Sequence, residues 1–73
     1  MSIRKYSVLI AEHRTSVSLE PEFWDALKKI AKEQNVTPAT LITRIDAERT
    51  GGLSSALRVF VLKTLSAEKS ISE

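Results

Sequence analysis

The sequence predicts a mainly α domain that opens with a short β-ribbon. Three observations carry this expectation. Apolar and polar residues alternate over much of Tyr6 to Leu19, the period of a strand with one face in water. Three later runs repeat apolar residues at helical spacing, two of them opened by proline. Finally, 73 residues without a cysteine make one small domain that no disulfide can staple, so self-association is the means left to complete a core.

The first run sets Tyr6, Val8 and Ile10 against Ser7 and Leu9, and the second sets Thr15, Val17 and Leu19 against Arg14, Ser16 and Ser18. Between them, Ala11-Glu12-His13 lacks the Asn-Gly or Asp-Gly of a tight hairpin. A bulge, a loose turn or a kink is expected there, and residues 1–12 are set apart as an N-terminal arm or extra strand. Residues 13–66 form the domain proper and residues 67–73 a polar tail.

Glu20-Pro21 ends the strand and starts a helix, with proline where its missing N–H costs nothing. Phe23, Leu27, Ile30 and Ala31 share one face, Trp24 stands beside them, and Gln34-Asn35 closes the helix near residue 35. Thr37-Pro38 repeats the start signal with a hydroxyl cap. Leu41, Ile42 and Ile45 mark the buried face of a second helix that fades near Arg49, before the stop Thr50-Gly51-Gly52. Ser54 or Ser55 then caps a third helix from Ala56 to about Ala67. Leu57, Val59, Phe60, Val61, Leu62 and Leu65 make it apolar on most of its circumference, and covering such a helix calls for a second copy of the chain.

Composition excludes several functions. Without cysteine and with a single histidine, a thiolate zinc site, a thiol nucleophile and a His-rich metal cluster within one chain all fall away. No cofactor is expected. Glu20 and Glu22 read as helix-start charges and not as a catalytic pair, and the serines lack a nucleophile elbow; the chain is not expected to be an enzyme. No run approaches the ~20 apolar residues of a membrane span, which makes a cytoplasmic protein the simplest expectation. Eleven basic against nine acidic residues, a formal +2, permit nucleic-acid binding without demanding it.

The strand Arg14 to Leu19 is the most informative segment. One face offers Thr15, Val17 and Leu19 to a core, and the other offers a guanidinium and two hydroxyls. Paired antiparallel with the same strand of a second copy, it forms a two-stranded ribbon, an element that fits the DNA major groove, where arginine is the commonest reader of guanine. The plain alternative is the wet side of an edge strand.

His13-Arg14-Thr15-Ser16-Val17-Ser18-Leu19-Glu20-Pro21-Glu22-Phe23-Trp24, followed by Leu53-Ser54-Ser55-Ala56-Leu57-Arg58-Val59-Phe60-Val61, resembles the short bacterial ribbon-helix-helix proteins, relatives of the Arc and methionine repressors. The likeness covers roughly Tyr6 to Leu65. It implies an intertwined homodimer that regulates transcription, commonly as a repressor, with its ribbon in the major groove of double-stranded DNA. By position, it assigns base reading to Arg14, Ser16 and Ser18. It also implies a phosphate held at a helix N-terminus, for which Thr37, Ala39 and Thr40 compete with Ser54 and Ser55. His13 either touches phosphate or ends the strand in solvent, and Arg4 and Lys5 form either a basic arm on the DNA backbone or an ordinary terminus. The chain departs from the family pattern in its third helix, its extra strand and Glu12, where glycine is usual. A hairpin of the extra strand would widen a dimeric ribbon to four strands, too broad for a groove of about 12 Å. The rival expectation is a dimeric module that binds a protein partner, an antitoxin-like protein included.

Overall fold

The structure, a computed structural model, describes residues 2–71 and the side-chain surroundings of residues 2–67. Strand β1 (Arg4–Ile10) and strand β2 (His13–Leu19) form a two-stranded antiparallel sheet, followed by helices α1 (Pro21–Glu33), α2 (Pro38–Glu48) and α3 (Leu53–Ile71). Residues 4–10 form the extra strand, the second of the two alternatives expected there.

The hairpin closes through a tight two-residue turn, which overturns the expected bulge, loose turn or kink. Ala11 and Glu12 both take positive φ, 49° and 67°. Turns of this hand follow the right-handed twist of the flanking strands. Alanine and glutamate enter the left-handed region only at a conformational cost, so the seven paired residues on each strand hold the turn in place of a favourable turn sequence. The register sets Ile10 against His13, Ser7 against Ser16 and Arg4 against Leu19.

One sheet face closes the core. Val8, Ile10, Val17 and Leu19 are buried against Leu27, Ile30 and Ala31 of α1, Leu41 and Ile42 of α2, and Leu57 and Val61 of α3. Thr15, expected among them, is exposed, although Val8 across from it and Ile10 nearer the turn are buried; at this end of the hairpin α2 packs on β1 and leaves β2 open. Tyr6 stacks on Trp24 with centroids 4.3 Å apart and rings nearly parallel, fastening β1 to α1. The core thus draws on every element of one chain.

Helix ends follow local chemistry. Helix α1 stops at Glu33, slightly earlier than expected. Asn35 takes φ 59° and the Val36 N–H donates to the Ala31 carbonyl, the wrap-back that ends many helices at a left-handed residue. Thr37 caps α2 as expected, its Oγ1 accepting from the Thr40 N–H at 3.1 Å. Helix α3 begins at Leu53, three residues before its expected start, and runs on to Ile71. Ser54 therefore lies inside the first turn and not ahead of it. The tail expected over residues 67–73 is helical as far as Ile71, and Ser72 and Glu73 lie outside the described residues. A single chain buries α3 on one side only, for Val59, Leu62 and Leu65 remain 46%, 64% and 48% exposed.

Candidate nucleic-acid interface

Strand alternation and the register together build one open face. Val17 and Leu19 point into the core, so Arg14, Ser16 and Ser18 stand on the opposite side of β2. Arg14 and Ser16 are exposed and Ser18 is half-buried. Lys5, Ser7 and Leu9 of β1 stand directly across from Ser18, Ser16 and Arg14, and all three are exposed. The surface therefore carries two cations, three hydroxyls and one leucine. Its chemistry suits hydrogen bonding to a polyanion, since guanidinium and ammonium donate and hydroxyls both donate and accept.

Sequence reasoning placed Lys5 on a terminal arm and left Ser7 and Leu9 without a role. The signal that joins them to the site is the turn at Ala11 and Glu12, which lacks a familiar turn sequence. The pairing of two β2 strands from two copies was the expected source of a ribbon; β1 of the same chain occupies one edge of β2.

The other edge of β2 meets the start of α3. In a hairpin closed by a two-residue turn, Ile10 with His13, Val8 with Thr15 and Tyr6 with Val17 are the hydrogen-bonded pairs, so the amides of Arg14, Ser16 and Ser18 point away from β1. The Ser18 N–H donates to Ser54 Oγ at 3.2 Å. Ser54 lies inside the first turn of α3 and not at its cap position, and its hydroxyl oxygen serves the strand. Arg58, one turn further on, donates to Glu20 Oε1 at 3.0 Å, and its guanidinium lies 6.0 Å from the Phe23 ring centre. A hydrogen bond from its own backbone, and then the Arg58 guanidinium, hold the Glu20 carboxyl below its ordinary range.

Of the two helix starts that compete for phosphate, α3 thus lies against the open-faced strand. The Ala56 N–H bonds back to the Gly52 carbonyl, so the amides of Leu53, Ser54 and Ser55 precede the first bond within the helix. At α2, Pro38 has no N–H to offer and Thr37 already engages Thr40 through both the Thr40 amide and the Thr40 hydroxyl; Ala39 is half-buried. His13 is exposed beside the turn and pairs with Ile10, on the helix-facing side of the sheet. Arg4 is exposed at the far end of the hairpin, opposite Leu19. Neither shares the open face.

A groove of about 510 Å³ runs between the end of α2 and α3, lined by Ile45, Gly52, Ala56, Val59 and Phe60 among others. Among the described residues no group of three His, Cys, Asp or Glu side chains is placed to hold a metal ion. No helix there is long and apolar enough to cross a membrane.

A family model described as the ribbon-helix-helix domain matches residues 3–65. No curated protein matches the chain, and no solved structure does.

Proposed function

The chain belongs to the ribbon-helix-helix domain family, and from that premise we propose that it is a cytoplasmic, homodimeric regulator of transcription that presents its β-ribbon to the major groove of double-stranded DNA. One observation supports this above the others. The sheet is closed by helices on one face, while the opposite face is left to Arg14, Ser16, Ser18 and their partners on β1.

Arg14 supplies the bidentate donor that suits guanine, and the two serines bring the backbone close to base edges. The start of α3 positions the ribbon by offering its free amides to a phosphate, next to the strand that Ser54 already holds. A second copy covers Val59, Leu62 and Leu65, large apolar side chains that one chain leaves in water among the described residues of α3; a chain of this size without a disulfide gains its missing burial by pairing.

Gel-shift titration on a selected duplex tests the reading. Arg14→Ala should weaken binding by about 1–3 kcal/mol and relax preference at one position, and wild-type affinity should fall steeply as salt rises, through counterion release. Wild-type affinity in the Arg14→Ala protein removes the proposed reader. A chain that shows no salt-dependent DNA binding at all is instead a protein-interaction module on the same fold.

A further inference from the structure

We infer that β1 is a phosphate-binding flank: where β2 pairs with β2 of a second copy to form the central ribbon, β1 of each copy lies over one wall of the major groove and holds the DNA backbone through Lys5, Ser7 and its outer-edge amides. This rests on the DNA-binding reading above and adds to it a second set of phosphate contacts, apart from the start of α3. The hairpin leaves one edge of β2 to the second copy, because the amides of Arg14 and Ser16 point away from β1; that of Ser18 is held by Ser54. Pairing along this edge makes a four-stranded sheet with the two β2 strands inside and the two β1 strands outside.

Width assigns the strands their places. Neighbouring strands lie ~4.8 Å apart, so the inner pair fits a major groove of about 12 Å and faces the base edges with Arg14, Ser16 and Ser18. The outer backbones stand roughly 14 Å apart at the same spacing. That exceeds the width of the groove, so each β1 rides over the phosphates that line a wall. The strand that cannot enter with the inner pair contacts the backbone instead.

The chemistry of β1 suits a phosphate wall. Arg4, Lys5 and Arg14 stand on the two strands, and no Asp or Glu does. Lys5 and Ser7 are exposed on the open face, across from Ser18 and Ser16, and bring an ammonium and a hydroxyl to it. β1 is also an edge of the two-stranded sheet, and the pairing pattern turns the amides of Lys5, Ser7 and Leu9 toward that edge. Backbone N–H groups are regular phosphate donors. The carbonyls of the same residues share the edge, so the Lys5 charge decides that this strip attracts an anion.

The test is gel-shift titration across salt concentrations, on the duplex that wild type enriches from a random pool and on an unrelated duplex. The variants are Lys5→Gln, Lys5→Arg and Ser7→Ala. Lys29→Gln, at an exposed position of α1, controls for loss of charge alone, and circular dichroism checks that each protein is folded. Lys5→Gln removes two contacts per dimer, so its plot of log affinity against log salt should be shallower than that of wild type by roughly 2. Its affinity should fall on both duplexes alike, with sequence preference unchanged. Lys5→Arg and Lys29→Gln should keep the wild-type slope, and Ser7→Ala should weaken binding to both duplexes. Methylphosphonates placed singly in the duplex, each removing one phosphate charge, should weaken wild type at two symmetry-related positions to which Lys5→Gln is indifferent. A Lys5→Gln protein with the slope of Lys29→Gln, or with preference relaxed at one base pair, overturns the β1 assignment; loss of preference in Arg14→Ala then shows that the regulator reading survives. A wild type without salt-dependent binding to any duplex sinks both.

Discussion

Replacing Ser54 by alanine removes one oxygen and, with it, the acceptor that holds the Ser18 N–H at 3.2 Å. A hydrogen bond of this kind contributes about 0.5–1.5 kcal/mol net, and an amide left without a partner in a dry site costs up to about 3 kcal/mol. Ser18 is only half-buried, so water reaches the freed amide and the cost falls near 1 kcal/mol. In a domain of this size that lowers the melting midpoint by about 4–8 °C. Ser55 supplies a matched control. It sits one residue on in the same helical turn, is exposed, and its alanine variant should melt within ~0.5 kcal/mol of wild type, as surface substitutions do. Thermal melting of both variants at one protein concentration reads the difference. Equal midpoints for Ser54→Ala and Ser55→Ala would refute the claim that α3 is pinned to the edge of β2 through this hydroxyl.

Other consequences follow from buried, strained and charged positions. Leu57 is fully buried, and Leu57→Ala should cost about 2–5 kcal/mol in urea unfolding; Leu62→Ala, on the exposed side of α3, should alter chiefly how the midpoint depends on protein concentration. Glu12 takes φ 67°, a conformation that glycine adopts freely, so Glu12→Gly should raise stability by about 1 kcal/mol in the same assay. Because the folded state lowers the Glu20 pKa, the stabilisation from that carboxylate is complete above its ordinary range and is lost as pH falls through the lowered folded value. Acid titration of Glu20→Gln against wild type should therefore show convergence at low pH and a wild-type advantage near neutrality.

Much of the architecture is legible in the residues because local signals and burial agree. The alternation around Val17 and Leu19 states which side of β2 faces inward, and the Thr37-Pro38 pair marks the start of α2 by a cap that the structure retains. The hairpin was hidden for a physical reason. Ala11 and Glu12 give no turn signal, and their backbone geometry is imposed by pairing along two whole strands, a non-local effect. Thr15 has the pattern of a core residue but is exposed while Val8 opposite it is buried, because α2 packs on β1 at that end of the hairpin, a matter of helix placement that periodicity does not encode. Ser54 carries the composition of a cap, yet its acceptor faces a strand thirty-six positions earlier in the chain. Of the open face, Arg14, Ser16 and Ser18 were visible as a strand pattern; Lys5, Ser7 and Leu9 join it only once the register is known.

The spacing along the hairpin also works as a ruler. Side chains on one face recur every second residue, ~6.8 Å apart at the usual rise, while stacked nucleotides advance about 3.4 Å each. From Arg14 to Ser18 the distance is then about 14 Å, some four base-pair steps. On the proposed DNA-binding reading, the exposed face of β2 from Arg14 to Ser18 accordingly spans roughly five base pairs and meets alternate steps along them.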